Sequence, residues 1–307
     1  MGKRHLTMRD IAAKAGVSSA TVSRVLSGSG LVRPALAEKV FKVVEELDFQ
    51  PNSLARSLKT SVTHTIGVIM TDIMNPHNAQ VVRGIESLAI EHGYNMILCT
   101  TGGNERRQTE YIRMFRERRV DGLIVFPSPR NEDKHGYLEL QRVSKEIPLV
   151  FLAQKVIGLG SGAILFDEAG GAYTAVKHLS EHGHKRIGLI NGSLELLAGQ
   201  EKLKGYKKAI EDFGLEEDDD LIREADFTKI ELAIKETLTV LSLSNPPTAL
   251  FVCNNLLTIG VIKAVRSLGL LIPQDIAVVS FDDPYWMEFL DPPLTTVALP
   301  ALELGAE

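Results

Sequence analysis

Cysteine is scarce in this sequence, with two in 307 residues, and so is tryptophan, with one. Two cysteines cannot build a disulfide framework or a four-thiolate metal site. Cys99 and Cys253 each end an apolar run (Met-Ile-Leu-Cys and Leu-Phe-Val-Cys), which reads them as buried free thiols. Long hydrophobic runs are missing too, and none approaches the roughly 20 apolar residues of a membrane helix. The start, Met1-Gly2-Lys3-Arg4-His5, leads into an amphipathic stretch and not an apolar leader, so a cytoplasmic protein is expected. Catalytic signatures are absent as well. There is no P-loop, no Gly-x-Ser-x-Gly elbow and no His-Glu-x-x-His pair. An enzyme is therefore not expected, and no cofactor is implied. Two near-motifs fail on context. Gly158-Leu159-Gly160-Ser161-Gly162 precedes a strand instead of joining strand to helix, so it is no nucleotide loop. His178, His182 and His184 straddle a helix-to-strand turn, and no metal is expected there. The acidic run 216–220 reads as a solvated turn.

What is present is divided unevenly. The net charge is −5, yet residues 1–60 carry ten Lys/Arg against five Asp/Glu. A basic head at +5 thus precedes an acidic body at −10, which points to a polyanion meeting the head alone. Apolar residues in the head follow helical spacing: Met8, Ile11, Ala12 and Ala15, then Val22, Val25 and Leu26, then Val40, Val43, Val44 and Leu47. From Thr65 the texture changes to short apolar runs at 66–70, 96–99, 122–126, 148–152, 164–166, 187–190, 249–253 and 276–280. Helix-like stretches such as 78–92, 105–118, 168–183, 199–213 and 256–268 separate them. Unbroken apolar strands alternating with helices predict an α/β body with parallel sheets. A Gly-rich dip at 158–162 suggests two lobes. The expected domains are therefore 1–50 (head), 51–62 (linker) and 63–307 (body). The lobes are expected at about 63–161 with a returning segment near 284–295, and about 162–283 with the C-terminus.

In the head, Thr7 followed by Asp10 reads as a capping box, and Gly16 as the stop of the first helix. Ser18 then caps a second helix from Ser19 to about Leu26. Helix, glycine turn, helix is the helix-turn-helix spacing. The second helix carries Ser19, Thr21 and Ser23 near its start and then Arg24. Hydroxyls and a helix N-terminus suit phosphate oxygens, and Arg suits a guanine edge in the major groove.

The residues Thr7-Met8-Arg9-Asp10-Ile11-Ala12, Ala15-Gly16-Val17-Ser18, Thr21-Val22-Ser23-Arg24-Val25-Leu26 and Pro51-Asn52…Ala55-Arg56-Ser57-Leu58 resemble the head of the lactose-repressor (LacI/GalR) family. The resemblance continues through Gly93-Tyr94, Val120-Asp121-Gly122-Leu123-Ile124, His178-Leu179 with Gly183-His184, Gly205-Tyr206, Ile272-Pro273-Gln274-Asp275-Ile276 and Pro293-Leu294-Thr295-Thr296-Val297. It implies a repressor whose body is similar to periplasmic binding proteins. It further implies a homodimer on palindromic operator DNA, controlled by a small-molecule effector that is a sugar or sugar derivative. A transporter's solute-binding protein is the alternative, opposed by the basic head.

By the resemblance, Ser19, Ala20 and Arg24 sit at base-reading positions and Thr21 and Ser23 at phosphate-contacting ones. Asn52–Leu58 becomes a hinge helix on DNA, with Leu58 as a minor-groove wedge. The effector positions carried over are His77, Asn78, Ser128, Gln154, Asp167, Lys202, Phe227, Asn255 and Asp282. Several depart from the family pattern: His77-Asn78 replaces an aromatic pair, Lys202 an Arg, Asn255 an Asp, and Ala37 loses a phosphate contact. A Lys lacks the planar fork of Arg, and Leu196 stands where purine-binding relatives carry a ligand-gripping Arg, so a purine is not expected in this pocket. In the resembled family the chain usually runs on past the equivalent of Glu307 through another helix and strand.

Overall fold

Residues 6–27, 32–49, 62–127, 134–154, 156 and 159–307 are described by a computed structural model. The chain divides into two compact units, Met1–Thr63 and His64–Glu307.

In the first unit the local signals resolve into three helices. Asp10 reaches back to the start of α1 (Met8–Ala15), accepting from the Thr7 N–H at 2.8 Å and the Thr7 hydroxyl at 2.7 Å. Gly16 ends that helix at φ +67°, a conformation that costs other residues more. Ser18 Oγ accepts the Thr21 N–H at 3.1 Å and caps α2 (Ser19–Ser27). Pro34 opens α3 (Pro34–Glu46), where a missing N–H is harmless. Ile11, Val22, Val25, Val40, Val43 and Phe49 close one small core between the three. The linker expected at 51–62, with Asn52 and Leu58, falls almost wholly outside the described residues.

The second unit contains two five-stranded parallel sheets. The first, ordered β2-β1-β3-β4-β5, is built from β1 (Thr65–Met70), β2 (Asn95–Thr100), β3 (Gly122–Val125), β4 (Leu149–Leu152) and β5 (Gly162–Ile164). The second, ordered β10-β9-β8-β6-β7, is built from β6 (Ile187–Asn191), β7 (Ile222–Glu224), β8 (Ala249–Val252), β9 (Ala277–Phe281) and β10 (Thr295–Val297). The crossover helices are α4 (Pro76–Glu91), α5 (Glu105–Glu117), α6 (Lys134–Glu146), α7 (Glu168–Glu181), α8 (Leu197–Asp212), α9 (Ile230–Leu241) and α10 (Asn255–Ser267), with a short α11 (Ala301–Gly305) last. Strands β6 and β8 are buried throughout, which explains their unbroken apolar sequence. Cys253 is buried in the second lobe's core and Cys99 is half-buried; both are free thiols.

The lobe boundaries differ from the sequence expectation in three places. The Gly-rich dip is not the boundary, because β5 follows it and pairs with β4 through Phe151 opposite Ala163. Segment 284–295 does not return to the first lobe: Leu294 packs on the second core, and the following β10 lies alongside β9. The C-terminal residues join the first lobe, where Ala301 and Leu304 enter its core. Glycine permits that last contact. A Cβ on Gly84 of α4 would lie 2.1 Å from the Leu302 carbonyl oxygen, and one on Gly305 would lie 2.1 Å from that of Val81. Helices α7 and α8 approach as closely, since a Cβ on Gly205 would lie 2.1 Å from the Ala169 carbonyl oxygen.

Candidate DNA-reading helix and effector cleft

In the first unit, α2 buries Val22 and Val25 and turns a polar face outward. Ser19, Ala20 and Arg24 are exposed, while Thr21 and Ser23 are half-buried. Thr21 Oγ1 lies 2.9 Å from Ser18 Oγ, so its hydroxyl belongs to the capping turn at the helix start. Five of the seven residues expected to meet DNA thus occupy one short helix of the right dimensions for a major groove, and the other two, Asn52 and Leu58, lie outside the described residues.

In the second unit, most of the expected effector positions gather where strands end. Parallel sheets bind ligands outside the carboxyl ends of their strands. A cavity of about 410 Å³ opens there between the lobes. Asp72, His77, Asn78 and Gln154 line it from the first lobe, and Lys202, Phe227 and Asp282 from the second. Six of the nine expected effector positions therefore share one cavity. Ser128 lies outside the described residues. Two do not line it. Asp167 is exposed and caps α7 by accepting the Gly170 N–H at 2.8 Å, because the side chain before a helix start turns to the free amides. Asn255 is wholly buried beneath the cavity wall. Their neighbours Glu168 and Asn254 line the cavity instead.

Local structure places each group. Asn254 caps α10 by accepting the Leu257 N–H at 2.8 Å, and its amide donates to the Phe227 carbonyl at 2.9 Å. The Phe227 ring rests over Gly192, where a Cβ would come within 2.2 Å of it. Across the cavity the His77 and Phe166 rings meet edge to face at 5.1 Å. Ala153 and Asp282, at the ends of β4 and β9, have φ of +61° and +70°. Positive φ costs a residue with a Cβ roughly 1–3 kcal/mol, and such strain gathers at binding sites.

The lobes are also joined directly. Asn75, the cap of α4, accepts the His77 N–H at 2.9 Å and the Asn255 side-chain amide at 2.9 Å. The same Asn255 amide donates to Asp282 Oδ2 at 3.1 Å. Its own Oδ1 is buried with no hydrogen-bond partner.

Lys202 is the cavity's buried cation. Its Nζ lies 2.5 Å from Glu168 Oε2 and 4.2 Å from the centre of the Phe281 ring. Burial pulls its pKa down, but the carboxylates, Glu168 first, outweigh this and hold it above the ordinary lysine value. Burial pushes the Cys253 thiol well up, which leaves it an inert neighbour. Sequence reasoning missed Glu168, Asn75 and Phe166. A Glu one residue from the expected Asp167 was the available signal for the first. The strand-end position of Asn75, ahead of Pro76, was the signal for the second.

A helix-turn-helix unit followed by two lobes around a polar, aromatic-lined cleft defines a ligand-binding DNA regulator. Residues 7–52 match the bacterial regulatory proteins of the lacI family, and residues 176–307 match the periplasmic binding protein-like domain. The chain is 36% identical over 299 residues to the HTH-type transcriptional repressor PurR of Vibrio vulnificus, covering 97% of this chain and 88% of that one. Its fold is similar to the Lac repressor dimer bound to operator and the anti-inducer ONPF (TM-score 0.85, 27% identity, covering 99% and 90% of the two chains). It is also similar to a transcriptional regulator CelR-cellobiose complex (TM-score 0.70, 29% identity, covering 98% and 90%). The chain belongs to the lacI family and is a DNA-binding transcriptional repressor. No described helix is long and apolar enough to cross a membrane.

Proposed function

We propose that this repressor binds a palindromic operator as a homodimer through α2, and that a sugar or sugar derivative held in the interlobe cleft controls that binding. The observation that carries the reading is the cavity lined from both lobes. A ligand touching both interacts differently with their different arrangements, and only differential affinity can shift a DNA-binding equilibrium. The chemistry fits a sugar: carboxylates and amides (Asp72, Asn78, Gln154, Asp282) can meet hydroxyls, and Phe166 and Phe227 can meet a ring's apolar face. His77, Asn78, Gln154, Lys202, Phe227 and Asp282 are the effector residues in this reading, with Asn255 acting from beneath. Ser19, Ala20, Thr21, Ser23 and Arg24 read the DNA, helped by Asn52 and Leu58. A transporter role has no support, since the relative matched along 97% of the chain is named a repressor.

Met74, one residue ahead of the Asn75 cap of α4, is 80% exposed, and its apolar side chain supports a contact surface there. The helices α4 and α10 are the proposed contact surfaces. The test is an operator gel-shift titration with and without a panel of sugars, alongside sedimentation at micromolar concentration. Specific binding by a dimer, altered at least severalfold by one sugar, is expected. A monomer that binds no operator, or binding that no sugar alters, refutes the proposal.

A further inference from the structure

The charges around the cleft are unbalanced in a way that selects against anions. Four carboxylates line it, Asp72, Glu168, Asp226 and Asp282, against two ammonium groups, Lys202 and Lys229. Each ammonium already has a carboxylate: Lys229 Nζ lies 3.5 Å from Asp226, and Lys202 Nζ lies 2.5 Å from Glu168. Among the described residues no arginine lines the cavity. The Lys202 side chain is only 5% exposed, and its ammonium lies between Glu168 and the face of Phe281. It therefore faces a partner and an aromatic face, with little of its charge turned to a ligand.

We infer that Glu168 is a specificity-determining residue: by holding Lys202 it makes the cleft accept an uncharged polyhydroxylated ring and reject the acid or phosphate ester of the same ring. This deepens the effector reading above and rests on it for the identity of the site. An anionic group entering the cavity meets surplus carboxylates at low effective dielectric, where like charges repel strongly. An uncharged hydroxyl instead donates to those carboxylates. Asp282 keeps one oxygen for this, because its hydrogen bonds from Asn255 both end on Oδ2.

The test compares matched ligands by calorimetry and thermal shift, without DNA, so it stands whether or not the cleft controls operator binding. The pairs are D-glucose with D-gluconate and D-ribose with D-ribose 5-phosphate, and sodium sulfate serves as a bare anion. Wild-type protein is expected to show no millimolar affinity for sulfate and none for the anionic member of either pair. A wild type that binds an anion as well as its neutral counterpart, or that binds sulfate, overturns the inference. Glu168→Gln keeps the shape and frees Lys202, so its sulfate affinity should rise at least about tenfold over wild type. The titration is run near pH 6.5, because without Glu168 burial is less fully opposed and draws the lysine towards its neutral form. The gain should vanish in Glu168→Gln/Lys202→Met. A folded Glu168→Gln protein whose sulfate affinity equals that of wild type overturns the inference. If Glu168→Gln does not fold, the matched pairs on wild type decide the matter alone.

Discussion

The bond between Asn75 and Asn255 joins the lobes across the cleft, and its strength follows from its partners. Replacing Asn255 with Ala removes a neutral hydrogen bond to Asn75 and one to the Asp282 carboxylate. At about 1 kcal/mol for the first and about 1.5–3 kcal/mol for the second, the variant should lose about 2.5–4 kcal/mol of stability. Only the first bond crosses between lobes, so only that part bears on how the lobes are held together. Asn75→Ala alone confuses the issue, since it also removes the α4 cap at about 0.5–2 kcal/mol. A double-mutant cycle separates the terms. Wild type, Asn75→Ala, Asn255→Ala and the double variant would be unfolded in urea, followed by the fluorescence of Trp286, the one tryptophan. The coupling energy should be about 1 kcal/mol, equivalent to about fivefold in the equilibrium between lobe arrangements. The same fivefold should then appear in the effector concentration that alters operator binding. A coupling energy below about 0.3–0.5 kcal/mol, the usual error of additive sites, would refute the reasoning.

Three further outcomes are expected. Arg24→Ala should weaken operator binding by about 1–3 kcal/mol and blur preference at one base pair per half-site, read by selection from a randomised operator; unchanged preference would place Arg24 away from the bases. Gly192→Ala should force the Phe227 ring from its place and weaken effector binding several-fold in calorimetry while the operator affinity of the effector-free protein stays within a few-fold, since the ring is what the new methyl would meet first. Burial, helped by His182, holds the His184 imidazole below its ordinary pKa, so the unfolded chain takes up that proton first. Stability from this group is present above the free imidazole value and is lost as pH falls through the lowered one. The melting temperature of His184→Gln should therefore fall less than that of wild type between pH 7 and pH 5, and parallel curves would exclude His184 as the cause.

Much of the fold was legible because its signals are local. Thr7, Asp10, Gly16 and Ser18 mark helix ends through single side chains and one glycine, and the structure places them there. Apolar runs marked the buried strands for the same reason. The lobe boundaries were not legible. Which sheet takes a three-residue strand such as β5 or β10 depends on an open edge elsewhere in the chain, and nothing local in Gly162–Ile164 or Thr295–Val297 records that edge. The helices α6 and α9, which carry no family motif, escaped notice for a related reason. In the cleft, the positions that face inward at strand ends, such as His77, Gln154 and Phe227, could be carried over by resemblance. The turn of one residue that separates Asp167 from Glu168, and Asn255 from Asn254, could not, because it depends on which side chain caps the following helix.

The close crossing of α7 and α8 bears on how this repressor could acquire a new effector. Glu168 and Lys202 sit on those two helices, which Gly205 allows to meet almost backbone to backbone. With so little room, changing one partner alone strands the other's charge inside the protein, a loss of several kcal/mol. Mutational paths through single substitutions at either position pass through intermediates of lowered stability, least so for a shape-conserving change such as Glu168→Gln. Saturation libraries that vary one site at a time would therefore report most substitutions at both positions as destabilising. A library that randomises 168 and 202 together, with Gly205 left alone, should recover paired solutions such as two uncharged side chains, and with them altered ligand preferences that the single-site screens cannot reach.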